Sequence, residues 1–349
     1  MAKKFMYTKN NEGGIDKVYR TCRNILFTHN DLDGAGCAVV FMLAFGDGEV
    51  YYCGNGEDID GKVCELLDEV EHDIGEPITY NVYIADNSVS KQYAELIDIM
   101  YKDENVDFNI HLLDHHESAK WLAETYEWAK VDIAECGATL MEQCLVHNIP
   151  RTYATTVLHL FCMDVRDRDL WLWKENGNMM ARYHNELMHI RGIENYAYLI
   201  ANRIAHRVQP ISNSDLDMVK DRLKIADDYV RAHQDNFAKA TISFKGRIYT
   251  TAVTYADRYV SELGNAICEN NNDIDICMIV CLSRGQYGSI ELRTTKDDVD
   301  LSAIAKKMGG GGHKKAAGFP LTEECNANNE GNSKYYSPLL MQITELLRK

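Results

Sequence analysis

Features that mark several protein classes are scarce in this sequence. Only 5 of its 349 residues are proline, which leaves little room for a proline-rich linker. No stretch approaches the roughly 18 uncharged apolar residues of a transmembrane helix, so we expect no membrane partner. The lysine-containing N-terminus has no apolar run behind it, which argues against a signal peptide. The 11 cysteines form no C-x-x-C pair, which excludes zinc ribbons and favours reduced thiols in the cytoplasm.

Positive charge is also in short supply. The chain has 37 Lys and Arg against 53 Asp and Glu, a net charge of −16. Proteins that hold long nucleic acids by bulk charge need a broad basic face, so we do not expect long duplex nucleic acid as a partner. Any phosphate chemistry here therefore needs metal ions or a local basic patch. Apolar residues make up 46%, and the length predicts about two globular domains.

Apolar runs alternate with helical patterns in the first part of the chain. The runs that predict strands lie at residues 24–28, 49–53, 78–85 and 107–113. Such alternation is typical of βαβ units and a parallel sheet. Residues 136–240 have a mainly helical pattern, whereas a strand over 241–252 and a hairpin over 273–295 predict a second sheet. The predicted fold class is α/β, with an N-terminal parallel-sheet domain, a helical connector and a smaller C-terminal α/β domain.

The same patterns set the predicted domain boundaries. We expect a loose lead-in over residues 1–21, an N-terminal domain over 22–195, a connector over 196–240, a second domain over 241–325 and a tail helix over 326–349. Residues 215–240 contain neither Gly nor Pro and therefore predict one long connecting helix.

Acidic and imidazole side chains follow three of the predicted strands, at the point where each strand ends. They are Asp31 and Asp33 after the first strand, Asp86 after the third, and Asp114, His115 and His116 after the fourth. Because the carboxyl ends of neighbouring parallel strands converge on one crevice, we expect these side chains to meet. Cations must then offset the negative charge, and a carboxylate-rich set suits Mn²⁺ or Mg²⁺ better than zinc.

Parts of this pattern have simpler interpretations. The run HNDLDG could belong to a calcium loop, but an EF-hand register would place Val40 where glutamate is required, which excludes it. Asp86 taken alone is equally well explained as the N-cap of the following helix. The combination of all three positions favours a metal site.

The ordered set of short motifs resembles the DHH phosphoesterases. The motifs are HNDLDG over residues 29–34, the isolated Asp86, DHH over 114–116 and GGGGHKKAAG over 309–318, which is similar to the DHH-associated domain. The match spans roughly residues 22–325 and is closest to the oligoribonuclease (nanoRNase) branch. The first domain would then be catalytic and the second would bind the substrate.

The resemblance implies two Mn²⁺ ions as cofactors, with Mg²⁺ or Co²⁺ as substitutes. His29 and Asp31 would bind one ion, Asp33 and His115 would bind the other, and Asp86 would bridge both. In some relatives the histidine lies four residues before the first Asp, where this chain has Phe27.

A fourth motif of the family supplies one more aspartate ligand. In residues 164–173 (DVRDRDLWLW) Asp169 fits best, Asp167 is the alternative, and Asp164 is interpreted as structural. Trp171 and Trp173 of this segment are interpreted as core packing, with base stacking as the alternative.

The remaining predicted site residues are catalytic or bind substrate. Asp114 and His116 would orient ligands or touch the substrate phosphate. Residues 284–319 carry 7 Lys and Arg against 4 Asp and Glu, which makes the local basic patch that phosphate binding requires. There, Arg284 and Arg293 could grip phosphate. The glycine turn could form an anion nest, and its predicted substrate-binding residues are Gly310, Gly311, Gly312 and His313.

The predicted function is hydrolysis of short oligoribonucleotides to mononucleotides by water activated between two metal ions. One alternative is a phosphatase for 3′-phosphoadenosine 5′-phosphate, and another is a phosphodiesterase for cyclic or linear dinucleotides. An alternative of a different class is a non-catalytic nucleotide sensor, which would be expected to lack metal ligands. The expected partner is short RNA or a small nucleotide, and a homodimer is compatible with the sequence.

Overall fold

Buried apolar residues on alternating strand positions organise the chain around two sheets, one in each of two units. The structure is a computed structural model that describes residues 2–9, 15–46, 48–54, 56–72, 78–149, 155–283 and 286–321. The units are Met1–Lys220 and Asp221–Lys349. None of the helices in these described ranges is both long and apolar enough to cross a membrane.

In the sheet of the first unit, the carboxyl ends of three strands lie at the same edge. Its described strands are β1 (Ala2–Lys9), β2 (Ile15–His29), β3 (Glu49–Cys53), β4 (Ile78–Ala85), β5 (Asp107–Asp114) and β6 (Ala129–Val131). The order is β1-β2-β4-β5-β6, with β3 paired to the second half of β2; β1 is antiparallel and the others are parallel. Thr28 pairs with Ala85 and Ala85 pairs with Leu113, so residues that follow these strands share one edge.

Helices cover both faces of this sheet. The described helices between Leu32 and His233 are α1 (Leu32–Phe45), α2 (Glu57–Glu71), α3 (Lys91–Lys102), α4 (Lys120–Thr125), α5 (Gly137–Leu145), α6 (Thr155–Asp169), α7 (Met179–Arg191), α8 (Ile193–Ala205) and α9 (Asn213–His233), with a 3-10 turn at Glu117–Ala119. Phe27 and Ile84 pack with α2 and α3 on one face. On the other face, Phe41 of α1 meets Tyr83 edge-on at 5.9 Å between ring centroids.

The second unit is built on a mixed sheet. Its described strands are β7 (Ala238–Phe244), β8 (Arg247–Ala256), β9 (Ile276–Ser283), β10 (Gln286–Arg293), β11 (Gly311–Gly312) and β12 (Ala316–Pro320), in the order β11-β12-β10-β9-β8-β7. Only β8 and β9 are parallel, and α10 (Val260–Asn270) connects them. Buried residues of α10 pack on one face and those of α11 (Leu301–Lys307) on the other.

The structure confirms the predicted α/β fold class and corrects two details. Residues 1–21 were expected to form a loose lead-in, but they contain β1 and the start of β2. The single strand expected over 241–252 is a hairpin, because Lys245 and Gly246 adopt positive φ angles (48° and 78°) and turn the chain. The tail helix expected over 326–349 lies outside the described residues.

A buried carboxylate ties α7 and α8 to the start of α9. The Asp215 side chain is fully buried; its Oδ1 accepts a hydrogen bond from Arg191 Nη2 at 3.0 Å and its Oδ2 accepts one from Arg203 Nη1 at 2.6 Å. Ser212 donates to Oδ2 from both its backbone N and its hydroxyl. Burial alone would raise the pKa of Asp215, but these donors outweigh it and hold the pKa below its ordinary range.

We expect Asp215→Asn to destabilise the protein by about 2–3 kcal/mol at pH 7, because it removes charge-assisted hydrogen bonds and leaves arginines without their counter-ion. The ion pair contributes fully above the ordinary carboxyl pKa of about 4 and is lost as the pH falls through the lowered folded-state pKa. The difference in the free energy of unfolding between wild type and Asp215→Asn should therefore shrink in acid. Urea unfolding at pH 7 and pH 3 tests this, with the exposed Asp217→Asn on the same helix as control. Equal stability of the two variants at pH 7 would contradict it.

Candidate metal centre

The turn after β2 is shaped by its own aspartate and glycine. Asp31 is the N-cap of α1, and its Oδ1 accepts hydrogen bonds from the backbone N–H groups of Asp33 and Gly34, both at 3.1 Å. A Cβ on Gly34 would lie 1.8 Å from the carbonyl oxygen of His29, so only glycine fits. The other oxygen of Asp31 lies 2.7 Å from Nδ1 of His29. Burial would raise the pKa of Asp31, but the His29 contact and the backbone donors lower it overall.

Asp33 is oriented by the N-terminus of α5. Its Oδ2 accepts a hydrogen bond from Gly137 N at 2.5 Å and its Oδ1 accepts one from Ala138 N at 2.8 Å. First-turn N–H groups of a helix have no intrahelical partner and favour an anion. They are able to approach because residue 137 is glycine: a Cβ there would lie 2.6 Å from Asp86 Cβ and 2.9 Å from Asp33 Oδ2.

Asp86 lies at the centre of the crevice, directly after β4. Its backbone has φ 54°, a left-handed conformation that aspartate tolerates better than most residues. Its Oδ1 lies 3.1 Å from Nε2 of His115, which in turn lies 3.5 Å from Asp33 Oδ2. His115 Nδ1 is 3.6 Å from Asp169 Oδ2 at the end of α6. Four segments of the first unit therefore meet at His115.

Asp114 lies behind this cluster and orients the neighbouring histidine. Its Oδ1 accepts hydrogen bonds from the backbone N–H groups of His115 (2.7 Å) and His116 (3.2 Å) and lies 2.7 Å from His116 Nδ1. The Ser88 hydroxyl donates to Oδ2. Burial alone would lower the pKa of His116, but the charge and hydrogen bond of Asp114 raise it to about 9.

The three aspartates of α6 have different surroundings. Asp169 belongs to the cluster, whereas both oxygens of Asp167 accept hydrogen bonds at 2.9 Å, from Asn176 and Asn178. Asp164 accepts one from Asn178 at 2.9 Å and lies 3.6 Å from Nε2 of His184. The geometry therefore favours Asp169 over Asp167 as the fourth-motif ligand and is consistent with a structural Asp164.

Ligand atoms of the first unit lie close enough to hold metal ions. His29, Asp31 and Asp86 offer atoms within 4.8 Å of one another, and so do Asp33, His115 and Asp169. A third such group comprises Asp86, Asp114, His115 and His116. Phe27, four residues before Asp31, is buried and stacks on Tyr51 at 5.2 Å between ring centroids, so His29 is the histidine that meets Asp31.

Buried carboxylate oxygens without a hydrogen-bond donor in the described part of the chain indicate that these aspartates and histidines fit divalent cations. Oδ2 of Asp86 and Oδ2 of Asp169 are buried and accept no hydrogen bond from the described residues. Burial and the charge of Asp169 raise the pKa of Asp33 to about 6; burial and the charges of Asp33 and Asp31 raise the pKa of Asp86 well above its ordinary value. Carboxylate oxygens with a minority of imidazoles are the donors that Mn²⁺ and Mg²⁺ accept.

Comparisons with known proteins agree with this geometry. The DHHA1 domain family matches residues 249–330. The chain is 28% identical over 310 residues to the oligoribonuclease NrnB of Bacillus subtilis, covering 86% of this chain and 73% of that protein. The domain match and the similarity to this oligoribonuclease support a phosphoesterase of the DHH family. It is also 23% identical over 330 residues to a 3′,5′-cyclic-nucleotide phosphodiesterase of Helicobacter pylori, covering 83% of this chain and 90% of that protein.

A solved structure shares the fold. The DHH domain of a protein assigned to a family of ribosomal proteins matches 94% of this chain and 87% of its own length, with a TM-score of 0.58 at 14% identity. DHH phosphoesterases are metal dependent, and the acidic and histidine cluster of this chain is a candidate metal site.

The predicted substrate residues of the second unit are held more tightly than the sequence indicates. Arg293 is mostly buried and donates to Ser261 Oγ at 2.9 Å and to the carbonyl of Leu292 at 2.8 Å. The predicted anion nest is also altered, because three of its backbone N–H groups donate within the chain. The donors and their carbonyl partners are Gly309 to Lys306, Gly310 to Ala305 and His313 to Ala316.

The rest of that glycine turn pairs with a neighbouring strand. Gly311 and Gly312 form β11 and pair with Gly318 and Ala317 of β12. Arg284 lies outside the described residues. The roles of these second-unit residues in substrate binding stay predictions.

Two positioning residues escaped the sequence analysis. Gly137 is the first residue of α5, and its backbone N–H donates a hydrogen bond to Asp33. Ser88 donates a hydrogen bond to Asp114, whereas Ser90, two residues later, is the N-cap of α3. Both contacts join residues far apart in sequence, so no local pattern announces them.

We expect Gly137→Ala to weaken divalent-cation binding at least tenfold, because the added methyl group collides with Asp86 and Asp33. Titration calorimetry with Mn²⁺ and thermal unfolding measure the effect. Gly61→Ala is the matched control: this exposed glycine of α2 has open space around it, so alanine there should be neutral or slightly stabilising. Unchanged Mn²⁺ affinity in Gly137→Ala would contradict the proposed geometry.

The metal-free protein should lose stability as the pH rises from about 4 to about 6. The folded-state pKa of Asp33, about 6, exceeds the ordinary value, so in this window the folded chain binds more protons than the unfolded chain. Mn²⁺ competes with these protons and should raise the melting temperature more at pH 7 than at pH 5. Melting curves in EDTA and in Mn²⁺ test this, with Asp33→Asn expected to reduce the difference. An equal rise in melting temperature on adding Mn²⁺ at pH 5 and at pH 7 would contradict this prediction.

Proposed function

We propose that this DHH phosphoesterase is a phosphodiesterase that hydrolyses short oligoribonucleotides to mononucleotides with two bound Mn²⁺ ions. The observation that carries the proposal is the convergence of the two ligand groups around Asp86 and His115. His29, Asp31 and Asp86 would hold one ion, and Asp33, His115 and Asp169 the other, with Asp86 shared. The bound ions would supply Lewis acidity that activates water and polarises the phosphoryl group.

The surrounding residues set the geometry for this chemistry. The N-terminus of α5 fixes Asp33 through two backbone hydrogen bonds, and Asp31 is fixed by the first turn of α1. Both carboxylates are thus held before any ligand arrives, which lowers the entropy lost on binding.

His116 is placed to supply a proton. Asp114 holds its Nδ1, and the pKa of about 9 keeps the ring protonated at neutral pH. A protonated imidazole can donate from Nε2 to a phosphoryl oxygen or to the leaving oxygen. Ser88 and the two backbone N–H groups fix Asp114, so the histidine does not need to reorient during the reaction.

Charge and relatedness support a short substrate. Each phosphate contact adds electrostatic affinity, and a chain with net charge −16 offers few of them to a long polymer. The similarity to an oligoribonuclease over 86% of this chain favours short RNA. The weaker similarity to a cyclic-nucleotide phosphodiesterase makes cyclic nucleotides the second candidate.

A gel time course with Mn²⁺ tests the substrate. The substrates are 5′-labelled RNAs of two, five and twenty-four nucleotides, with cyclic AMP and 3′-phosphoadenosine 5′-phosphate assayed alongside. We expect rapid loss of the dimer and pentamer and slow loss of the long RNA. Turnover of cyclic AMP or phosphate release with intact oligomers would move the assignment to that substrate.

Asp86→Asn should lower hydrolysis by at least a thousandfold, because it removes the carboxylate charge that we propose serves both ions. Asp107→Asn is the control: this residue lies at the opposite end of β5, where Oδ2 accepts a hydrogen bond from Thr79 that an amide oxygen can also accept. Near wild-type turnover in Asp86→Asn would make the two-ion assignment wrong.

A further inference from the structure

Cationic and indole side chains are concentrated directly after Asp169. We call Arg168, Trp171, Trp173, Lys174 and Arg182 the cation–indole cluster. The Arg168 guanidinium lies 4.6 Å from the centroid of Trp171, and Lys174 Nζ lies 5.9 Å from the same ring. Arg182 and Lys174 each lie 5.5 Å from Trp173, and the two indoles meet edge-on at 5.7 Å. Such a combination of π faces and cations is what single-stranded nucleic acid sites use.

The loop that carries the cluster is built in one fixed shape. Trp171 has φ 60°, which is unusual for a bulky side chain and occurs where the surrounding structure enforces it. The carbonyl of Asp167 accepts hydrogen bonds from the backbone N–H groups of Leu172 (2.8 Å) and Trp173 (3.1 Å). The Asp167 side chain accepts hydrogen bonds from the side chains of Asn176 and Asn178, so hydrogen bonds hold both ends of the loop.

The position of the loop connects it with the candidate metal centre. Asp169 ends α6 within 3.6 Å of His115, and Trp171 is only two residues further along the chain. Trp171 is half-buried and Lys174 is exposed, so both can be reached by a small ligand. The buried Nε1 of Trp171 also has no acceptor among the described residues, although buried indole N–H groups normally have one.

We propose that the cation–indole cluster binds one nucleotide of the substrate, with the base stacked on the Arg168–Trp171 pair and a phosphate charge offset by Lys174. The proposal rests on the phosphodiesterase function proposed above, because it assigns a subsite for the same substrate. Stacking accepts every base, whereas the fixed loop sets the distance from the base to the scissile phosphate. Trp171 is thereby a binding residue rather than only a packing residue.

Titration of the full-length protein in EDTA with AMP, adenosine and inorganic phosphate tests the subsite. Trp171→Ala should weaken AMP and adenosine by roughly five- to a hundredfold, the range expected for loss of one stacked base. Trp171→Phe, which keeps an aromatic face, should retain most of the affinity. Lys174→Ala should weaken AMP and phosphate and leave adenosine unchanged.

Trp121→Ala is the matched truncation, since Trp121 packs against Tyr126 and takes no part in the cluster. Equal AMP affinity in Trp171→Ala and wild type would overturn the proposal, as would an equal loss in Trp121→Ala or no AMP binding by the wild type. The titration needs no hydrolysis. If no oligonucleotide is cleaved but Trp171→Ala loses AMP, the proposed function fails and the subsite stands; cleavage with unchanged AMP affinity gives the reverse.

Discussion

Repulsion between carboxylates at the end of the parallel sheet is the constraint on which the first unit depends. Asp31, Asp33, Asp86 and Asp169 supply ligand atoms to neighbouring groups at this edge, and Asp33 and Asp86 are buried where little water remains to screen their charges. The fold offsets part of this cost with helix N-termini and imidazoles. Two carboxylate oxygens still accept no hydrogen bond from the described residues, and the pKa values of Asp33 and Asp86 are raised. Binding of a cation here would therefore be linked to folding through the same side chains.

Helices that are distant in sequence hold or supply these carboxylates. The N-terminus of α5 holds Asp33, and α6 contributes Asp169. The same α6 uses Asp167 and Asp164 to fasten the loop that carries Trp171. One helix thus provides a candidate metal ligand on one side and a proposed base platform next to it. A shift of α6 would disturb both, so the candidate metal centre and the proposed base platform depend on the position of the same helix.

The sequence predicted the placement of those candidate site residues that lie at the carboxyl ends of strands. Apolar runs located β4 and β5, and the rule that parallel strands end at one edge predicted that Asp86 and Asp114 would approach Asp31. Prediction from the sequence failed where a tertiary contact or a single backbone angle determines the local structure. Lys245 is a lysine with φ 48°, which no propensity predicts, and it divides one expected strand into two. The Ser88–Asp114 contact crosses 26 residues and depends on the register of β4 against β5.

The scarcity of positive charge constrains how the proposed enzyme would recognise RNA. Electrostatic affinity grows with the number of phosphates contacted, so an acidic chain with a few localised cations gains little from a longer strand. Stacking adds affinity per base without adding charge, and it is indifferent to sequence. A site that combines one stacking platform with metal ions therefore gains little affinity from nucleotides beyond the first few. That combination suits an enzyme for the shortest fragments, where one or two bases are all that the substrate offers.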